Sequence, residues 1–192
     1  MTAAALRAIW RDRPAETMAA MGLLSGLLSA LWGFNRDAAL LQPLATVLFL
    51  ETGAVPIGIF FAAVVAIPIA LRVPGIWPAV VPFVVTLYAW SGAIHTAIRL
   101  QRNRDDDLHL IAASLCAGAV GAGLTHLGCA VFVRELRRPW RIALTCAVGA
   151  VAGVLFYLGH RRYVDERLLF VVWQPAVAFC IGLGLVRQTE AA

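Results

Sequence analysis

The sequence predicts an all-α fold, a polytopic bundle of transmembrane helices that forms a single domain over residues 1–192. Hydrophobic residues make up 61% of the chain, whereas soluble proteins contain about 45–50%. Charged residues make up only 14%, and they gather at the ends of the apolar stretches. Most of these stretches are about 20 residues long, the length of helix that crosses a hydrocarbon core of roughly 30 Å.

Six stretches meet or approach this length, and we predict that each is a membrane span. We interpret the first as a retained span and not as a signal peptide, because charge extends to Glu16 and no small-residue cleavage site precedes a polar mature chain. Pro14 suits the first turn of its helix, where the missing N–H would be unpaired in any case. The predicted spans are Ala15–Phe34, Val55–Leu71, Ile76–Ile98, Leu108–Val133, Arg141–Leu158 and Leu168–Val186.

The region of residues 38–71 is too long for a single crossing. Its 34 residues would extend about 51 Å as one straight helix. Residues 51–56 break it, with Gly53 and Pro56 as the turn and the restart. The fragment Ala38–Leu50 would be only about 20 Å long, so we predict an interfacial or re-entrant helix there, followed by the second span. If Ala38–Leu50 crosses instead, the protein has seven spans.

Polar segments separate the later spans. A turn at residues 72–75 (RVPG) follows the second span, and longer polar loops occupy residues 101–107 (QRNRDDD), 134–141 (RELRRPWR) and 160–167 (HRRYVDER). The pair Gln174-Pro175 lies inside the last span. Proline removes one backbone hydrogen bond there, so we expect a kink unless neighbouring helices satisfy the freed carbonyl.

The arginines predict location and orientation. The chain has a net charge of +5, carried by arginine without any lysine, which suggests a GC-rich bacterial genome. Because short basic loops stay in the cytoplasm, we place RELRRPWR and both termini inside, in a multi-pass protein of the bacterial cytoplasmic (inner) membrane. Membrane lipid is an expected partner. Nucleic acid is not, since no basic stripe is interleaved with aromatic residues.

Small residues form faces on three of the predicted helices. Such faces, including the GxxxG spacing, let helix backbones approach closely within a membrane. The sequence shows no soluble domain and no catalytic set. The leading prediction is therefore a non-enzymatic protein that acts by helix–helix association, with itself as a homo-oligomer or with a membrane partner. The helix-packing residues are Gly22, Gly26, Gly118, Gly121, Gly149 and Gly153.

Two polar positions support an alternative, a small permease or ion pathway. Ionisable and polar groups at membrane depth often mark transport routes. Glu51 would lie at the tip of the break if the preceding fragment is re-entrant. Gln174, next to Pro175, lies within the last span. Both are candidate ion- or substrate-binding residues.

The histidines support a third alternative, a metal- or haem-binding subunit. Because consecutive spans are antiparallel, His95, His109 and His160 should collect at one membrane face, with His126 near the other. Neutral imidazole is a common metal ligand, but no HxxxH or HExxH spacing is present, and we predict no bound cofactor. His126, Cys129 and Cys146 lack a fourth zinc ligand, so we attribute them to helix packing.

Two short segments resemble fragments of the rhomboid intramembrane proteases, whose serine lies in GxSG and whose histidine lies on a later helix. They are Trp90-Ser91-Gly92-Ala93 and Thr125-His126-Leu127-Gly128. The first glycine of GxSG is Ala89 here, and no helix intervenes between the two segments. Their depths differ by roughly 15 Å, whereas a catalytic dyad needs contact near 3 Å. We therefore predict no protease activity.

The first half of the chain has a second resemblance. RDRPAET (residues 11–17) is followed by a short apolar span, a second apolar region and a third that contains tryptophan. This layout resembles small uncharacterised membrane proteins encoded by phages and prophages of GC-rich bacteria. The resemblance implies a location in the membrane and no particular activity.

Overall fold

A computed structural model describes Trp10 and residues 12–32, 55–101 and 106–186. Within these residues the protein is a bundle of six long α-helices. The prediction of an all-α bundle is confirmed. A short 3₁₀ turn, Arg134–Arg137, precedes the fifth helix. The helices are α1 (Pro14–Trp32), α2 (Val55–Arg72), α3 (Trp77–Gln101), α4 (Asp107–Ala130), α5 (Pro139–His160) and α6 (Leu168–Leu185).

Within the described residues, five of the six helices are long and apolar enough to cross a membrane, which makes this a multi-pass membrane protein. The remaining helix, α2, has 18 residues and extends about 27 Å. Its apolar part, Ile57–Arg72, is short for a span. However, α2 packs beside both α1 and α3 along the bundle, and we treat it as the sixth span.

Each helix packs against its neighbours in a closed ring, in the order α1, α2, α3, α4, α5, α6 and back to α1. Successive helices are antiparallel, so the bundle has two ends. The basic end carries Pro14, residues 134–138 and Leu185. The mixed-charge end carries Asp106, Asp107 and residues 161–167.

The first two helices meet at the mixed-charge end. The Trp32 ring at the end of α1 lies 6.2 Å from the Phe60 ring in the second turn of α2. The end of α1 and the start of α2 therefore lie at the same end of the bundle. The seven-span alternative depends on Ala38–Leu50. Ala38–Leu50 itself lies outside the described residues.

Two glycines bring α1 into backbone contact with α6. A Cβ atom at Gly22 would lie 2.7 Å from Pro175 Cα and 2.9 Å from Gln174 O. A Cβ atom at Gly26 would overlap the carbonyl oxygen of Phe170. No side chain larger than that of glycine fits at these two positions, so the backbones of the first and last helices approach closely there.

Glycines also bring α4 into backbone contact with α5. A Cβ atom at Gly153 would lie 2.5 Å from Ser114 O, and one at Gly149 would lie 2.6 Å from Gly118 O. Gly121 also faces inward, where its Cβ would lie 3.3 Å from the Trp173 ring. All six glycines that the sequence singled out thus lie in interfaces within the chain.

Residues 134–141 cover the basic end of the bundle. Leu136 is fully buried, and its carbonyl accepts a hydrogen bond of 2.9 Å from His126 Nε2. Arg137 Nε donates to Ala130 O at 2.8 Å, and Arg141 donates to Gly184 O at 2.9 Å. These guanidinium groups satisfy the last carbonyls of α4 and α6, which have no partner within their own helices.

Candidate functional site

An apolar cavity of about 140 Å³ lies between α3, α4, α5 and α6. It extends from the middle of the bundle toward the mixed-charge end. Two tryptophans, from α3 and α6, form its inner wall. Gln101, the last residue of α3, and Leu169, in the first turn of α6, line its outer part. The lining side chains include Trp90, Ala97, Gln101, Phe156, Leu169 and Trp173.

Packed aromatic rings fix the inner wall. Trp173 is buried, and its indole N–H donates to Gly149 O at 3.1 Å. The Trp90 ring lies 6.1 Å from Trp173 and 5.7 Å from Phe170, and Phe61 lies 5.4 Å from Trp173. Such edge and tilted contacts hold large rings in defined positions. Toward the basic end, buried Phe61, Trp173 and Val177 belong to one hydrophobic core, which closes the cavity on that side.

Polar side chains surround the outer part of the cavity. Gln101 Nε2 lies 3.5 Å from His160 Nε2, which joins the ends of α3 and α5. Arg161 pairs with Asp107 at 2.7 Å, which joins the end of α5 to the start of α4. The His160 ring also lies 6.2 Å from the Phe156 ring in the cavity wall. His160 is therefore shared between the apolar wall and the surface.

A second, polar pocket lies at the surface next to this rim. It is lined by Gly159, His160 and residues 162–166 of the loop between α5 and α6. Arg162 has a φ of 59°, in the left-handed region that residues other than glycine seldom adopt. The loop is tight, because a Cβ atom at Gly159 would lie 2.8 Å from Glu166 Cα. The turn presents one arginine and two carboxylates around the pocket.

Of the two residues predicted for a permease, the structure describes Gln174. Glu51 lies outside the described residues. Gln174 is completely buried, and both ends of its amide are in use. Ser25 Oγ donates to Gln174 Oε1 at 2.6 Å, and Gln174 Nε2 donates to Ser29 Oγ at 3.1 Å. This amide therefore links α6 to α1 through its hydrogen bonds with the two serines.

The predicted histidines lie at the expected depths, but each has its own partners. His95 Nδ1 is 3.1 Å from Ser91 O, and His109 bonds to Asp106 at the start of α4. That contact lowers the pKa of Asp106, since the hydrogen bonds favour the ionised carboxylate. Among the described residues, no group of three or more His, Cys, Asp or Glu side chains could hold a metal ion.

His126 is enclosed at the basic end. Its Nδ1 lies 2.8 Å from Thr145 Oγ1 and its Nε2 lies 2.9 Å from Leu136 O. Both ring nitrogens are thus engaged with residues other than Ser91, Cys129 or Cys146. His126 therefore joins α4 to α5 and to the 3₁₀ turn at the basic end.

The sequence did not predict the cavity or its lining. A signal was present at Trp90, because tryptophan in membrane proteins is enriched at the interfaces, whereas Trp90 lies near the middle of α3. Trp173, in the second turn of α6, gives a weaker signal of the same kind. The left-handed Arg162 had no signal of this kind, since arginine in an interfacial loop is common.

Comparisons of the chain with models of known families, with curated proteins and with solved structures gave no match. Fold and geometry define the class of the protein. It is an all-α, multi-pass membrane protein with an apolar cavity between four helices, toward one end of the bundle.

Proposed function

We propose that this protein is a non-enzymatic membrane protein that binds the apolar chain of a lipid in its internal cavity. The observation that carries the proposal is the nearly all-apolar wall between α3 and α6, with Trp90 and Trp173 at its inner end. A cavity with such a wall selects an apolar occupant, because a polar group buried there without hydrogen-bond partners would be costly.

The size of the cavity suits the end of an acyl chain as the occupant and not a large ligand. Its volume of about 140 Å³ is below the roughly 300–1,000 Å³ of typical small-molecule sites. It is close to the ~150 Å³ of an engineered apolar cavity that binds benzene. A terminal segment of an acyl chain, entering past Gln101 and Leu169, matches both the volume and the apolar wall.

We place the protein in the bacterial cytoplasmic membrane with the basic end in the cytoplasm. The support is the concentration of arginine in residues 134–141, together with the positive-inside rule. In this orientation the cavity faces the outer leaflet. The occupant would be a lipid of that leaflet.

Association with another copy or a membrane partner stays a prediction, and it needs a different surface. The six small-residue positions that suggested it are used in contacts between α1 and α6, α4 and α5, and α4 and α3. Exposed apolar residues such as Val151, at 71% exposure, and Leu24, at 56%, remain on the outer faces of α5 and α1. Ordinary contact with lipid accounts for them.

Fluorescence quenching tests the proposal. A variant that keeps Trp173 and carries phenylalanine at the other five tryptophans is reconstituted into vesicles whose acyl chains are brominated. Bromine quenches an indole only at contact, and Trp173 is 4% exposed. We expect clear quenching, because a chain in the cavity reaches the inner wall.

Ala97→Phe provides the blocking variant, since Ala97 is buried and lines the cavity. It should restore most of the Trp173 emission. Ala112→Phe is the matched control on the outer face of α4, where Ala112 is exposed, and it should leave quenching unchanged. If Trp173 emits equally in brominated and unbrominated vesicles, the proposal is wrong.

A further inference from the structure

The apolar cavity and the polar surface pocket are joined through one side chain. His160 contacts Gln101 at the rim of the cavity and Phe156 in its wall, and it also lines the polar pocket. A molecule whose chain enters the cavity would therefore hold its polar part against the loop between α5 and α6. The two pockets together match the layout of an amphiphile, because the apolar cavity lies next to the polar pocket.

The charged residues that line the polar pocket indicate which kind of head group it could bind. Arg162, Asp165 and Glu166 line it and are all exposed, so the pocket offers both signs of charge. Asp165 is partly committed, because its Oδ1 accepts the backbone N–H of Arg167 at 2.9 Å. Arg162 can pair with a phosphate, and Glu166 can pair with an amine.

We infer that the pocket recognises a zwitterionic phospholipid head group that carries a phosphate and a primary amine. The inference rests on the proposed function, since it concerns the head of the lipid whose chain occupies the cavity. The phosphate lies toward Arg162 and the amine toward Glu166. A head group with a phosphate but no amine lacks the second contact.

Native mass spectrometry of the detergent-purified protein tests the inference with three probes of identical acyl chains. They are phosphatidylethanolamine, phosphatidylglycerol and phosphatidylcholine. We expect the first to bind about two- to fivefold more tightly than phosphatidylglycerol, the size of effect that one exposed ion pair produces. The affinity for phosphatidylcholine should be lower than that for phosphatidylethanolamine, either between the other two affinities or below both, because its quaternary ammonium group cannot donate a hydrogen bond.

Two variants assign the contacts. Glu166→Gln should abolish the preference for phosphatidylethanolamine over phosphatidylglycerol. Arg162→Asn should weaken binding of both lipids equally, and asparagine tolerates the left-handed backbone at this position. Arg134→Gln is the control, because Arg134 is exposed at the basic end. It should change neither the affinity for the lipids nor the preference for phosphatidylethanolamine.

The outcomes separate this inference from the proposed function. If all three lipids bind equally while Ala97→Phe still lowers their binding, the head-group inference fails and the proposed function stands. If the preference survives Glu166→Gln, the head group is recognised elsewhere and the inference also fails. If Ala97→Phe leaves the binding of every lipid unchanged, the proposed function is wrong, and the head-group inference that rests on it is wrong as well.

Discussion

Gln174 shows how a single polar side chain is accommodated inside this bundle. An unpaired amide within a membrane protein is costly, yet Gln174 is fully buried. Ser25 and Ser29 lie one turn apart on α1, so that one hydroxyl donates to the amide oxygen and the other accepts from the amide nitrogen. The pairing satisfies the amide and also sets the register between α1 and α6.

A double-mutant cycle measures this contact. Ser25→Ala and Gln174→Leu should each lower the stability of the protein in detergent, and their coupling energy should be about 0.6 kcal/mol, the average for hydrogen bonds between membrane helices. The readout is the midpoint of unfolding in sodium dodecyl sulfate. Ser114→Ala is the matched control, because the Ser114 hydroxyl bonds to Leu110 O within its own helix. Coupling of Ser114→Ala to Gln174→Leu as large as that of Ser25→Ala would contradict the assignment.

At the residue scale, the sequence identifies the unusual position but not its partner. Gln174 stands out because it is an amide inside an apolar span, and that pattern favoured a transport role. Its partners are 149 and 145 positions away, and serine is ordinary in a membrane helix. A pairing over such a distance depends on which helices become neighbours, which the local pattern does not contain.

Glycine has two different roles along these helices, depending on what surrounds it. Gly149 lies against Gly118 and Ala122 of α4, so an added methyl group has no room. Gly92 is also within a helix, but the nearest atom to its Cβ would be Leu124 Cδ1 at 3.8 Å. That is an ordinary van der Waals distance.

Gly149→Ala and Gly92→Ala should therefore shift stability in opposite directions. The first should cost about 1–3 kcal/mol, as overpacking does. The second should stabilise by about 0.5–1 kcal/mol, because alanine restricts the unfolded chain and favours a helix. Both changes can be read from the same detergent unfolding curves. Equal effects of the two substitutions would mean that the α4–α5 contact is looser than described.

At the element scale, prediction from the sequence works well because a membrane imposes a length. The predicted span Leu168–Val186 corresponds to helix Leu168–Leu185, and Arg141–Leu158 corresponds to Pro139–His160. The cavity could not be predicted in this way. It arises where four helices meet, and the side chains around it are as apolar as those that face lipid.

The whole molecule has an asymmetry between its two ends. At the basic end, Leu136 and Arg141 cover the bundle and are themselves buried. At the mixed-charge end, the cavity extends toward the surface. Arginines at residues 134–141 thus serve two purposes, since they cap helices within the protein and also give this end its charge.

Topology mapping tests the arrangement of the whole molecule. In a variant without native cysteines, Pro74→Cys and Glu135→Cys should label from one side of the membrane, and Asp106→Cys from the other. We expect the first two to be cytoplasmic because of the basic loop. Labelling of Glu135→Cys by an impermeant periplasmic reagent would reverse the orientation. Labelling of Pro74→Cys and Glu135→Cys from opposite sides would contradict the six-span arrangement.

The contact between the first and last helices also has a consequence for biosynthesis. Synthesis proceeds at about 5–20 residues per second, so the 149 positions between Ser25 and Gln174 separate their insertion by roughly 7–30 s. During that interval Gln174 is absent, the Ser25 hydroxyl can bond to a carbonyl of its own helix instead, and α6 does not yet cover the groove formed by Gly22 and Gly26. A chain arrested before α6 is complete would keep this groove exposed to the insertion machinery and to membrane proteases.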